Sequence, residues 1–205
     1  MRFPSPLACV PVLACAASLT AACSGPAEVP DPGELITTVT LTLTPPGGTP
    51  IMASFDDPDG DGGAPPVIDP ITLVAGTTYA TSVRFLNMLE TPPEDITTEV
   101  ADEADQHQVF FTGTAVNGPA SNQPGAPLTH AYADRDVNDL PIGLASTITA
   151  TAAGSGTLII TLRHLPPLDA APTKTSELDA QVQAGGFSAI AGGTDAQVTF
   201  PVTVP

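Results

Sequence analysis

The chain has 205 residues, enough for a single domain with a real core, and 22 acidic side chains against five basic ones give it a formal net charge of -17. A surface of that sign repels nucleic acid and anionic lipid head groups and favours cations or basic partners. Long runs of Val, Ile, Leu and Thr are too apolar for a solvated, disordered coil.

The N-terminus reads as an export leader. Met1-Arg2 supplies a minimal positive start, and an apolar, small-residue stretch runs from Phe3 to Leu19 before Ala21-Ala22. Residues 1–22 are therefore expected to form a signal peptide. Pro4, Pro6 and Pro11 interrupt the stretch, which also falls short of the roughly 20 apolar residues that a membrane span needs. Cys23 closes the leader and is the expected lipidation site, with residues 23–34 as lipidated N-terminus and flexible linker. Thr20 stands where such sites usually carry Leu, with Leu19 one residue further back; Cys15, after Val12-Leu13-Ala14, is a rival. Cys9, Cys15 and Cys23 are the chain's three cysteines, so a chain cut before Cys23 keeps no thiol able to form an internal disulfide. Ser24 matches the pattern sent on to the outer membrane. Secretion without a lipid is the alternative.

From residue 35 the pattern turns to strands. Residues 35–44 (LITTVTLTLT) alternate Thr with Val and Leu, the period of a half-buried strand. Pro45-Pro46-Gly47-Gly48 is a turn, 51–55 a second strand, and an Asp-rich loop fills 56–63. Short and long strands follow at 71–74 and 79–89. The run opened by Pro92-Pro93-Glu94-Asp95 then places Ile96, Val100, Ala104 and His107 at helical spacing, which predicts a helix of about four turns capped by Thr91. Its far end carries Asp102, Glu103 and Asp105, the wrong charge for a helix C-terminus, so a positive group is expected there: protonated His107, an arginine, or a cation.

Strands resume at 109–116 and 128–133, separated by a loop over 119–127, and a second acidic turn spans 134–139. Residues 144–152 and 156–165 flank Ala153-Gly154-Ser155 and read as a hairpin. Residues 166–193 are weakly patterned and read as a surface excursion. A last strand covers 196–204, with Pro201 confining it to an edge or a bulge. Eight or nine strands with one short acidic helix predict a mainly β domain over 35–205, an antiparallel β-sandwich of immunoglobulin-like architecture.

The sharpest motif is Asp57-Pro58-Asp59-Gly60-Asp61-Gly62. Carboxylates on alternate residues of a tight loop point inward at a hard cation, and glycine at the sixth position permits the turn. The twelfth position is Ile68 instead of a bidentate Glu, and Asp69 falls one residue late. Asp57, Asp59, Asp61 and Asp69 are candidate ligands for a structural Ca²⁺; the same residues are also ordinary turn formers. Asp134, Asp136 and Asn138 form a weaker metal candidate. His107, His130 and His164 lie on three separate segments, with no spacing that demands zinc. Arg163-His164 suits an ion pair with the acidic helix end. Motifs for nucleophilic hydrolysis, metalloprotease chemistry, and phosphate or dinucleotide binding are absent from the sequence. A carboxylate pair for glycoside hydrolysis remains open. The absence of Trp and the presence of only Tyr79 and Tyr132 argue against a sugar-stacking cleft.

The segments TVTLTLTP, DPDGDGG, EDITTEVADEADQHQVFF, LIITLRHLP and VTFPVTV together resemble an uncharacterised family of small bacterial lipoproteins, some members of which carry the label type 1 periplasmic binding fold. The resemblance implies a lipidated, exported domain and carries over no catalytic residue. The label implies strands and helices alternating around a parallel sheet. Members tend to show D-x-D-x-N-G at the second turn, where this chain has Asp139. The leading expectation is a lipid-anchored, non-enzymatic envelope protein on the outer membrane with an unidentified protein or small-ligand partner. Alternatives are a periplasmic small-ligand or metal-handling protein and, third, a carboxylate-based hydrolase.

Overall fold

Alternation of apolar and polar residues sets most of the strands and fixes which face each one buries. The computed structural model describes residues 35–205 except Asp61, Asp169, Ala170 and Pro172. The expected leader, the Cys23 lipidation site, the linker and the Asp61 ligand lie outside the described residues. In chain order the strands are β1 (Thr38–Thr44), β2 (Ile51–Asp56), β3 (Val67–Ile68), β4 (Ile71–Thr72), β5 (Thr78–Asn87) and β6 (Glu94–Asp95). After helix α1 (Ile96–Asp102) come β7 (His107–Thr112), β8 (Val116–Asn117), β9 (Leu128–Tyr132), β10 (Ala145–Ala150) and β11 (Gly154–His164). Helix α2 (Leu178–Gly185), a 3-10 turn (Phe187–Ala189) and β12 (Gly193–Val204) complete the chain.

The strands form two sheets, one ordered β3-β2-β1-β5-β10-β9-β8 with β6 added to β5, the other β4-β12-β11-β7. In β1 every second residue, Val39, Leu41 and Leu43, is fully buried. The same parity buries Val83 and Phe85 of β5, Leu158 and Ile160 of β11, and Phe200 of β12, and these residues join one core between the sheets. Two inner faces sharing one apolar layer make the expected mainly β sandwich. Among the described residues only β4 with β12 and β8 with β9 pair in parallel. The alternation of helices and parallel strands implied by the binding-fold label is therefore absent among the described residues.

Several local expectations are corrected. The segment 144–165 is not a hairpin: β10 pairs with β5 and β9, whereas β11 pairs with β12 and β7. The chain changes sheets at Ala153, so the inward residues of β10 and β11 face one another across the core. Helix α1 has seven residues, about two turns, because the chain from His107 onward pairs with β11. Its cap is Asp95, whose side chain accepts from the Thr97 amide at 3.2 Å, in place of the expected Thr91. Thr97 Oγ1 accepts from the Phe85 amide at 2.9 Å and so ties the first turn to β5. The strand expected at 109–116 breaks at Gly113, where φ is +107° and a Cβ would stand 2.3 Å from the Thr157 carbonyl oxygen.

The largest correction is α2, within the stretch read as a surface excursion. Leu178 and Val182, four residues apart, are its buried positions, and they pack with Phe110, Ala120 and Leu165 into a second apolar cluster. This cluster covers the outer side of β7, which explains why Val109, Phe110 and Phe111 are consecutive and all fully buried. Pro201 is not on an edge by strand order. However, β4 meets β12 only at Val202 and Thr203, so at the proline the strand is flanked on one side.

Candidate functional site

The first Asp loop leaves β2 and returns into β3. Asp69 lies just past β3, and its Oδ2 accepts from both the amide and the hydroxyl of Ser54, each at 3.0 Å. Asp59 Oδ2 accepts from the Ala64 amide at 3.1 Å and closes the turn on itself. Asp57 Oδ1 is buried and has no hydrogen-bond partner among the described residues. The carboxylates of Asp57, Asp59 and Asp69 do not gather within ligand distance of one point; Asp61 lies outside the described residues.

The second turn is held by protein groups. Asp134 accepts from the amides of Gly143 and Ala145 at 2.8 and 2.7 Å, one on each carboxylate oxygen. Asp136 Oδ1 accepts from the amides of Asn138 and Leu140, and its Oδ2 lies 2.9 Å from Lys174 Nζ. The side chains of that ion pair are 1% and 0% exposed. Lys174 Nζ also donates to the Ala104 carbonyl at 2.6 Å, just past the acidic end of α1. The positive group required there is thus a lysine from the weakly patterned segment, which sequence reasoning did not single out. Burial alone would raise the Asp136 carboxyl, but Lys174 and the two amides outweigh it and hold the pKa below the usual carboxylate value. Burial lowers that of Lys174, and Asp136 opposes the shift. Asp139 has φ +63°, and among the described residues it alone takes a positive φ without being glycine.

The three histidines separate into two environments. His130 is in the core, its ring stacked on Phe111 at 4.0 Å between centroids, with Nε2 3.1 Å from Ser146 Oγ. Burial drives its pKa down to about 3, so the ring is neutral. His107 and His164 stand directly opposite each other in the β7–β11 register, their rings nearly parallel with centroids 4.7 Å apart. Glu103, at the end of α1, completes a group in which one ligand atom from each residue lies within 4.8 Å of the others. Arg163 does not join the acidic helix end; its guanidinium donates to Thr194 Oγ1 and to the carbonyls of Ala191 and Gly192.

A polar cluster pins α2 to the sheets. Asp179 Oδ1 accepts from Tyr132 Oη at 2.9 Å and from Gln108 Nε2 at 3.0 Å. Burial raises the Asp179 pKa and, together with the Asp179 charge, pushes the Tyr132 hydroxyl well above the usual phenol range. A protonated phenol donating to a carboxylate in this way fixes the helix in place. Beside α2 lies a cleft of about 340 Å³ whose lining includes Thr112, Asn122, Gln123, Thr157, Gln183 and Phe187, and none of its lining residues is titratable. Amides and hydroxyls around an apolar floor suit binding of an uncharged polar group more than acid–base chemistry.

Among the described residues no helix is long and apolar enough to cross a membrane. No family model matches the chain, and neither a curated protein nor a solved structure matches it.

Proposed function

We propose that the chain is a lipid-anchored, non-enzymatic β-sandwich of the cell envelope, tethered through Cys23 and presenting a binding surface for a protein or small-ligand partner. The observation that carries this reading is the placement of the cysteines: all three fall in or at the end of the leader, and Cys23 is followed by the polar linker Ser24 to Glu34. The uncharged cleft beside α2 supports a binding role over a catalytic one. Mass spectrometry of the mature N-terminus is expected to find Cys23 as the first residue, carrying lipid. A free N-terminus at any other residue would sink the proposal.

A structural Ca²⁺ at the first Asp loop belongs to the same reading; it would have to draw together carboxylates that stand apart without it, and the buried, unpartnered Asp57 Oδ1 is what supports it. Asp69 is already committed to the amide and hydroxyl of Ser54. The melting temperature is expected to rise in millimolar Ca²⁺ and fall back on adding chelator, and Asp57→Asn should remove the rise. A melting temperature indifferent to Ca²⁺ rejects the site.

A further inference from the structure

We infer that Glu103, His107 and His164 form a transition-metal site, with Zn²⁺ as its natural occupant. Two imidazoles and a carboxylate are a borderline-soft donor set of the kind that holds Zn²⁺ with an open fourth position, and one that Ca²⁺ and Mg²⁺, which select oxygen ligands, do not favour. The three residues come from two strands and a helix end that the fold fixes independently of any ion. His107 and His164 are register partners on adjacent strands, so their side chains leave the sheet side by side. Glu103 caps α1 by donating its amide to the Glu99 carbonyl at 2.8 Å, which sets its place beside them.

The hydrogen bond of His107 decides which nitrogen is offered. Its Nδ1 lies 3.1 Å from the Glu103 carbonyl oxygen, which can only accept, so Nδ1 carries the proton and Nε2 keeps its lone pair. An imidazole whose second nitrogen donates to a backbone carbonyl has the outer support usual for a metal ligand. His107 is buried, whereas His164 and Glu103 are half-exposed, which leaves the group reachable from solvent. On the far side of His164 the register partner in β12 is Gly193, where an added Cβ would meet nothing within 4 Å. Two stacked imidazoles direct their lone pairs along parallel planes. A shared ion draws them to one point, so loading tilts the more exposed His164 ring out of the stack.

The test uses the full chain without a polyhistidine tag, titrated with ZnSO₄ by isothermal calorimetry near neutral pH and followed by thermal melts with and without the metal. Binding of a single ion per chain and a Zn²⁺-dependent rise in melting temperature are expected, with neither effect displaced by excess Ca²⁺. His164→Gln should weaken binding by at least about tenfold, as should Glu103→Gln, and a melt in chelator shows for each whether the metal-free fold is intact. Having two half-exposed positions keeps the test decisive if one variant folds poorly. No saturable binding to the unaltered chain, or Zn²⁺ binding unchanged in both variants, overturns the assignment. Mass spectrometry of Cys23 and the Ca²⁺ melts are separate readouts, so failure here leaves the anchoring proposal standing.

Discussion

Replacing Lys174 with methionine is expected to cost about 3–5 kcal/mol of folding stability, measured as a lower urea midpoint at neutral pH. The ammonium joins the Asp136 carboxylate at 2.9 Å and the Ala104 carbonyl at 2.6 Å, and both side chains of the ion pair are buried. Methionine fills much of the lysine's volume, so packing changes little. What remains is a carboxylate shut away from water with two amide donors and no counter-charge. The cost comes from that stranded charge; the intact pair is worth less, because burial also works against the ammonium. Adding Asp136→Asn to Lys174→Met should therefore recover part of the loss, a coupling that a double-mutant cycle reads directly. The pH dependence has a definite sign. The folded pKa of Asp136 lies below its unfolded value, so its contribution is fully present above the unfolded value, about 3.9, and is lost as pH falls through the lower folded one. Without Lys174 burial dominates, the carboxyl takes up its proton at a higher pH, and the acid limb of unfolding moves upward. An unchanged urea midpoint in Lys174→Met would show that Lys174 does not neutralise the turn.

This lysine also marks the limit of what the sequence discloses. Alternation over Val39, Leu41 and Leu43, and over Val198, Phe200, Val202 and Val204, is local and strict, so the strands and their buried faces were readable from the chain. Pairing was less readable. A short turn between two strands looks the same whether they pair or cross between sheets, so the pattern over 144–165 does not separate a hairpin from the crossover that the fold contains. Helix α2 left two signals: Leu178 and Val182 at helical spacing, and an unbroken Val109-Phe110-Phe111 that needed cover on both faces. Lys174 and Ala104 are 70 residues apart and share no pattern that could announce their contact. The His107–His164 pair depends in the same way on strand register, so the histidines were visible one by one but not their convergence with Glu103. Of the Asp loops, the motif was plain, whereas the uses the fold makes of Asp69, Asp134 and Asp136 in binding Ser54, backbone amides and Lys174 were not.

Phe111→Ala is expected to lower stability by about 3–5 kcal/mol and, at the same time, to change the protonation of His130. Phe111 is fully buried in the core between the sheets. Its ring covers the His130 imidazole at 4.0 Å and meets Tyr132 edge-on, so truncation opens a cavity that His130 lines. His130 Nδ1 has no hydrogen-bond partner among the described residues, which makes it a polar atom that water entering the cavity would solvate. The His130 pKa, held at about 3 by burial, should then climb toward the ordinary histidine value, which NMR titration of its ring protons would follow. In the unaltered chain the folded pKa is depressed. His130's contribution is complete above the unfolded value near 6.5 and falls by about 1.4 kcal/mol per pH unit as pH drops toward the folded one. Phe111→Ala should flatten that part of the stability curve while lowering all of it. Phe111→Leu, which keeps most of the volume and the dry contact, should cost less than about 1.5 kcal/mol and leave His130 close to its original pKa. If Phe111→Ala lost stability without moving His130, something other than the Phe111 ring would be excluding water from the imidazole. If stability barely fell, the apolar layer joining the two sheets would not depend on the inner β7 face, where Phe111 meets His130.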